Sequence, residues 1–207
     1  MSKRVAKDRQ SGGENENYPT PSWCVDRLLE RLPLPGYHWL EPACGHGTIV
    51  RAVRDRRHLD TVPIFVAVDP FVLPAVDVAA HWSESYLTWY PYSPPYDVAI
   101  TNPPFSLAEQ FARRMLTMAD HVVLLLRLNW IGSAKRCDFF EDHPPSRILV
   151  LPDRPCFARS TKTGKPQSDS CEYAWFYWNT SEVPRATTIE RLAVTPASER
   201  RESQKTA

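Results

Sequence analysis

Short runs rich in Val, Ile, Leu and aromatic residues alternate with longer amphipathic stretches from about residue 18 to about residue 178, and this alternation restricts the fold more than any other feature. A short apolar run needs cover on its faces, and an amphipathic helix needs something to cover. A parallel sheet wrapped by helices on both faces satisfies both needs in turn. Strands are expected near 37–41, at Ile64–Val68, at Asp97–Ile100, at Val122–Leu128, at Arg147–Leu151 and at Cys171–Trp178, with a further extended piece near Tyr86–Trp89. Thr20 and Pro21 read as the N-cap and first turn of a helix that keeps Val25, Leu28, Leu29 and Leu32 on one side. A second helix follows a glycine turn and runs through about residue 57. A third begins at Ser106, where Ser106 and Glu109 have capping-box spacing and Leu107, Phe111, Met115 and Met118 recur at helical intervals. Residues 133–142 read as a fourth. The order is that of a doubly wound, Rossmann-like nucleotide-binding sheet.

A chain of 207 residues, 43% hydrophobic and 24% charged, has room for one globular domain. Residues 1–17 are polar, and residues 181–207 mix charge with Thr, Ser, Ala and Pro. Both ends are therefore expected to be tails without order, flanking a single domain over 18–180. No run approaches the roughly 20 apolar residues that cross a bilayer, and the first residues lack the apolar core of a signal peptide. The expectation is a cytoplasmic protein with no membrane partner. Five cysteines, at 24, 44, 137, 156 and 171, form no CxxC pair, and six scattered histidines form no HxxxH pair. Free thiols and no metal site are expected. The net charge of +1 shows no overall basic excess. Between Asp153 and Asp169, however, there is no acid, while Arg154, Arg159, Lys162 and Lys165 fall within that window around Gly164, making a local basic loop.

In an open α/β sheet, ligands bind beyond the carboxyl ends of the strands, so the residues there are the candidates for function. The first strand ends in Glu41-Pro42-Ala43-Cys44-Gly45-His46-Gly47, whose two glycines allow a sharp turn and a close backbone approach to a ligand. Val50 stands where a third glycine would complete GxGxxG. The missing glycine disfavours a dinucleotide pyrophosphate and favours a ligand without phosphates. The same residues are also compatible with an ordinary tight turn. The second strand ends at Asp69, a carboxylate able to accept from two ribose hydroxyls or to cap a helix. The third runs into Thr101-Asn102-Pro103-Pro104-Phe105. Two prolines fix the backbone, so the Asn102 side-chain oxygen and a carbonyl of the proline pair can accept two hydrogen bonds from one amino group, and Phe105 can stack on the attached ring. An aromatic exocyclic amine is a poor nucleophile because its lone pair is delocalised. Two acceptors favour a more tetrahedral nitrogen whose lone pair can attack a methyl sulfonium.

Together, Tyr18-Pro19-Thr20-Pro21, Glu41 through Gly47, Asp69 and Asn102-Pro103-Pro104-Phe105 resemble the N6-adenine DNA methyltransferases that carry the cofactor motif first, above all the small, phage-type members. The resemblance spans about residues 18–178. It implies a class I methyltransferase fold, a seven-stranded sheet with its last strand antiparallel, using S-adenosylmethionine. It also implies roles. Tyr18 and Thr20 would lie by the methionine part of the cofactor. Glu41, Pro42, Ala43, Cys44, Gly45 and Gly47 would hold the cofactor from below, and Asp69 would bind its ribose. Asn102 and Pro103 would grip the target amine, with Pro104 stiffening the turn and Phe105 stacking on the flipped base. An aromatic within Tyr173–Trp178, Trp175 being the candidate, would close the pocket. In such enzymes an acid usually contacts the cofactor adenine. Here Ser85 stands in its place, with Glu84 beside it.

A base within a duplex cannot reach such a pocket without being rotated out of the stack. Arg154, Arg159, Lys162 and Lys165 would then hold DNA phosphates, with Lys135 and Arg136 a further pair. With no span left for a separate recognition domain, a short or loose target sequence is expected. Two other readings remain: an RNA base methyltransferase of the same fold, and a module that binds nucleic acid or another partner without catalysis. Related turns also serve protein glutamine methylation, but those enzymes carry an N-terminal helical domain that the residues before Tyr18 do not supply.

Overall fold

Val122 through Leu126 are five consecutive buried residues, and a strand buried on both faces belongs at the centre of a sheet. The computed structural model describes residues 19–56, 63–67, 95–159, 166–167, 170–182 and 186–206. In chain order these residues form α1 (Ser22–Arg31), β1 (His38–Glu41), α2 (Thr48–Asp55), β2 (Ile64–Ala67), β3 (Tyr96–Thr101), α3 (Ala108–Met115), β4 (Ala119–Arg127), α4 (Cys137–Asp142), β5 (Arg147–Val150), β6 (Ala158–Arg159), β7 (Pro166–Gln167), β8 (Tyr173–Asn179), β9 (Thr188–Arg191) and α5 (Ala197–Thr206). A seven-stranded sheet runs in the order β2-β1-β3-β4-β8-β5-β9, and β6 and β7 form a separate hairpin. All neighbours in the large sheet are parallel except β8, which is antiparallel to both β4 and β5. The expected Rossmann-like architecture is present, with β9 added after the antiparallel strand.

The two faces of the sheet carry two separate cores. Trp23, Val25 and Leu28 of α1 and Ile49 and Val53 of α2 pack on Val98, Ile100, Val123, Leu125 and Trp175. On the other face, Phe111 and Met115 of α3 and Phe139 of α4 pack on Ala99, Val122, Leu124, Phe176 and Trp178. The period of two in β4 and β8 thus divides their side chains between the helix layers. No helix among the described residues is long and apolar enough to cross a membrane.

Several expected boundaries move. The first helix begins at Ser22 with Pro21 in the N-cap position, and no side chain caps it. Likewise, the capping box does not set the start of α3: a 3₁₀ turn over Phe105–Leu107 comes first, Leu107 takes the N-cap position, and Glu109 turns to Arg113 at 3.1 Å. Residues 128–136 form two 3₁₀ turns before the short α4. The piece near Tyr86–Trp89 lies outside the described residues.

The larger correction concerns the C-terminal residues, expected to be a disordered tail beyond 180. Thr188–Arg191 instead extend the sheet as β9, parallel to β5. Beyond it, Leu192 and Thr195 are buried, and α5 returns to α1, with Glu199 accepting from Arg27 at 2.6 Å. Asp153 fastens the same segment, accepting from the Thr195 N–H at 2.7 Å and pairing with Arg200. An edge strand satisfies its ladder on one side and leaves most side chains in solvent, so it needs no apolar period.

At the amino ends of the strands, the Asp97 carboxylate accepts from the backbone N–H groups of Tyr37 (2.7 Å) and His38 (2.8 Å), tying the entry of β1 to β3. The His38 bond in particular, together with that from Tyr37, holds the Asp97 pKa below the ordinary value. Gly36 has φ of +78°, and a Cβ there would fall 2.2 Å from the Asp97 Cβ. Gly36→Ala is therefore expected to cost roughly 2–4 kcal/mol in urea denaturation, from a strained φ and overpacking together. Asp97→Ala should cost about 1–2 kcal/mol at neutral pH. Because the folded pKa is depressed, the Asp97 contribution is present above the unfolded value near 3.8 and fades as pH falls through the folded one. Wild-type and Asp97→Ala stabilities should accordingly converge in acid.

Candidate active site

Leaving β1, the chain reaches β2 on one side and then β3 on the other, so the strand order reverses between β1 and β3. A crevice opens at such a switch point, beyond the carboxyl ends of the two strands. Leu40 pairs with Ala99, which puts Glu41 level with Ile100 and brings the turns that follow side by side. The structure thus gathers Glu41, residues 42–47 and Asn102–Phe105 on one edge of the sheet.

Glu41 is only 1% exposed. A carboxylate this deep needs donors, from the protein or a ligand, to offset its lost hydration. After it, Gly45 (φ +49°) and Gly47 (φ +72°) take left-handed conformations, and the Gly47 N–H donates to the Cys44 carbonyl at 2.7 Å. Gly47 is also the N-cap of α2, its carbonyl accepting from the Arg51 N–H at 3.0 Å. The Arg51 guanidinium donates back to the His46 carbonyl, closing the loop on itself. Thr20 is buried just ahead of α1. Tyr18, Asp69, Glu84 and Ser85 lie outside the described residues, although β2, which leads towards Asp69, stands beside β1 as expected.

Beyond β3, Pro103 is buried and the Asn102 side-chain oxygen is closed off from solvent. The Pro104 carbonyl accepts from the Leu107 N–H at 2.9 Å to close the 3₁₀ turn. Phe105 then meets Tyr173, with ring centroids 5.9 Å apart, and Phe157 at 6.5 Å, while the Arg127 guanidinium lies 5.0 Å from its ring centre. The Arg127 Nε also donates to the Tyr173 hydroxyl at 3.3 Å.

Register explains why Tyr173 occupies this place and Trp175 does not. Because β8 is antiparallel, its first residue lies at the carboxyl edge, Tyr173 opposite Arg127, while Trp175 lies opposite Leu125 two residues deeper. Trp175 is fully buried and donates from Nε1 to the Cys24 carbonyl at 2.9 Å. The expectation of Trp175 at the pocket is corrected: the β8 aromatic beside Phe105 is Tyr173, and Trp175 anchors α1.

Next to Phe105 is a cleft of 310 Å³ lined by Phe105, Leu126, Arg127, Asn129, Trp130, Ser133 and Arg136. Of these, the sequence points to Phe105 and Arg136 and misses Arg127, Asn129 and Trp130. A signal exists in the arginine that ends the apolar run Val122–Leu126, but a strand read through Leu128 hides the turn after it.

Arg154 is half exposed and donates from Nε to Glu172 at 3.1 Å; this hydrogen bond holds the Glu172 pKa below the ordinary range. Exposed pairs of this kind contribute little to stability. Arg159 belongs to β6, and Lys162 and Lys165 lie outside the described residues. Among the described residues, no group of His, Cys, Asp and Glu is arranged to hold a metal ion.

No family model matches the sequence. The fold is nevertheless shared with solved structures. A Listeria monocytogenes protein assigned to the class I S-adenosylmethionine-dependent methyltransferases aligns over 94% of this chain and 72% of its own, with 13% identity and a TM-score of 0.56. The chain has the class I methyltransferase fold. The methyltransferase subunit of a type I restriction-modification system from Streptococcus thermophilus aligns over 91% of this chain and 51% of its own, at 11% identity and a TM-score of 0.58. A Pyrococcus horikoshii protein assigned as an RNA methyltransferase covers 78% of this chain and 86% of its own, at 13% identity and a TM-score of 0.52. At such identities the likeness concerns architecture, and the chemistry has to be argued from the residues at the strand ends.

The division between Trp175 and Tyr173 can be tested. Trp175→Phe should lower stability by about 1–3 kcal/mol, measured by denaturant unfolding, because the Cys24 carbonyl loses its bond from the indole and the smaller ring leaves part of the buried space unfilled. Ligand binding should stay at the wild-type level, since the indole lies beneath α1 and away from the crevice.

Proposed function

We propose that the chain is an S-adenosylmethionine-dependent methyltransferase acting on the exocyclic amino group of a nucleic-acid base, namely N6 of adenine in DNA. The observation that carries this reading is the placement of Asn102–Phe105 beside Glu41 and the glycine turn, on adjacent strands at the switch point. The fold supports S-adenosylmethionine as the cofactor, and the residues fit it. Glu41 offers a buried acceptor, and the left-handed glycines present backbone without side chains. Tyr18, Thr20, Pro42, Ala43, Cys44, Asp69 and Ser85 complete the proposed binding set. When bound, the cofactor supplies an electrophilic methyl group on a sulfonium.

The chain's own residues prepare the amine. Asn102 Oδ1 accepts one N–H of the target. The Pro104 carbonyl is already committed to Leu107, so the Pro103 carbonyl is the proline acceptor for the second. Fixing both N–H bonds takes the nitrogen lone pair out of conjugation with the ring and localises it before any charge develops, so no general base is required ahead of attack, and the surplus N–H proton leaves to water afterwards. Phe105 supports the ring, backed by Tyr173 and Arg127. For duplex DNA the target must leave the stack, and the basic segment around Arg154, Arg159, Lys162 and Lys165 serves the phosphates. The name of the Streptococcus neighbour favours DNA; that of the Pyrococcus neighbour keeps RNA as the second reading.

Transfer of labelled methyl from S-adenosylmethionine to unmethylated DNA, RNA and protein separates these readings. Label in DNA at N6 of adenine is the expected result, while label in RNA alone would move the substrate and keep the reaction. Asn102→Ala should lower turnover by roughly 100-fold or more with cofactor affinity retained. Asp69→Ala should do the reverse, weakening cofactor binding first.

A further inference from the structure

The cleft beside Phe105 sets donor groups beside the apolar surfaces of Phe105 and Leu126. Arginine and the tryptophan N–H can only donate hydrogen bonds, and Arg127, Arg136 and Trp130 all line this space, with Asn129 and Ser133 adding adaptable polar groups. Trp130 is only 6% exposed, and its Nε1 has no hydrogen-bond acceptor among the described residues. A buried donor left without an acceptor costs about 1–3 kcal/mol, a cost that a bound acceptor removes.

Aromatic faces flank both arginines. The Arg136 guanidinium lies 5.1 Å from the Trp130 ring centre and that of Arg127 5.0 Å from the ring centre of Phe105. Arg136 reaches the Trp130 carbonyl only at 3.4 Å, and its nearest carboxylate among the described residues, Glu109, stands 3.9 Å away and also pairs with Arg113 at 3.1 Å. One carboxylate shared by two guanidinium groups leaves positive charge over. The Trp130 ring is itself wedged edge-on against Phe139, Phe140 and Phe176, at centroid distances of 5.5, 5.0 and 5.5 Å, so the platform is rigid.

A preorganised, cationic, donor-lined cleft that shares Phe105 with the proposed amine site calls for an anionic, oxygen-rich ligand. We propose that it binds a backbone phosphodiester of the nucleic-acid strand next to the target nucleotide, with Arg136 meeting the charge and Trp130 Nε1 donating to an oxygen. This inference rests on the nucleic-acid reading above and assigns that strand a contact separate from the basic segment at 154–165. Seating a neighbouring phosphate here would help hold the displaced nucleotide at Asn102 by fixing the chain to which it belongs.

The test measures binding of a short fluorescein-labelled single-stranded DNA to the full chain across a range of salt concentrations. Removing one cation that neutralises a phosphate should flatten the log–log salt slope by about 0.7. Arg136→Gln should bind several-fold more weakly and show that flattening, and Arg136→Lys should restore the slope. Trp130→Phe should also weaken binding several-fold but leave the slope unchanged, because it removes a neutral donor and keeps an aromatic ring. S-adenosylmethionine affinity should be the same in all three.

An unchanged slope in folded Arg136→Gln would overturn the proposal, as would wild-type affinity in Trp130→Phe. So would inorganic phosphate displacing the oligonucleotide at matched phosphate concentration, since the cleft would then be a small-anion site. These outcomes are independent of turnover. If the oligonucleotide binds with the expected slopes while no nucleic acid receives label, the methylation reading fails and the phosphate contact stands.

Discussion

The insertion of β8 between β4 and β5 determines more of this molecule than any other single arrangement. Its ladder with β4 pairs seven residues on each strand, from His121 with Asn179 to Arg127 with Tyr173. The period of two then places Tyr173, Trp175 and Tyr177 in one core and Ala174, Phe176 and Trp178 in the other. Neither core could form without this strand. A shift of one residue would exchange the two sets and place side chains of the wrong volume against each helix layer. The same register puts Tyr173 at the carboxyl edge, where it meets Phe105, and sinks Trp175 to where its indole holds the carbonyl of Cys24. One pairing therefore sets the aromatic backing of the crevice and the seat of α1.

The crevice itself depends on little beyond neighbouring strands. Leu40 opposite Ala99 brings a buried carboxylate, two left-handed glycines and a proline-stiffened turn to the same edge. Asp97 guards that alignment from the far end of β3 by accepting both N–H groups that lead into β1. A shift of β3 against β1 would break those bonds and separate the two turns together.

The sequence made visible whatever a local pattern could encode. Val122–Leu126 read as a buried strand because every residue is apolar, and the turns at 41–47 and 102–105 stood out through residue types whose backbone behaviour is distinctive. Features settled by distant partners were not legible. Glu199 holds Arg27 across 172 residues, and Thr188–Arg191 join β5 through backbone pairing and a Glu190–Arg147 ion pair, so neither β9 nor α5 needed an apolar period. Trp175 and Tyr173 are equally aromatic, and only antiparallel register decides their depth. Trp130 and Arg136 meet because two 3₁₀ turns bring them together, and 3₁₀ turns leave weak traces in hydropathy.

The fastening at Asp153 joins parts that would otherwise be independent. It binds Thr195 and Arg200 from the C-terminal segment while standing next to Arg154, at the root of the excursion that carries β6, β7 and the basic residues. A shortened chain ending near residue 180 would uncover the free hydrogen-bonding edge of β5, inviting edge-to-edge association. It would also release the base of the basic excursion.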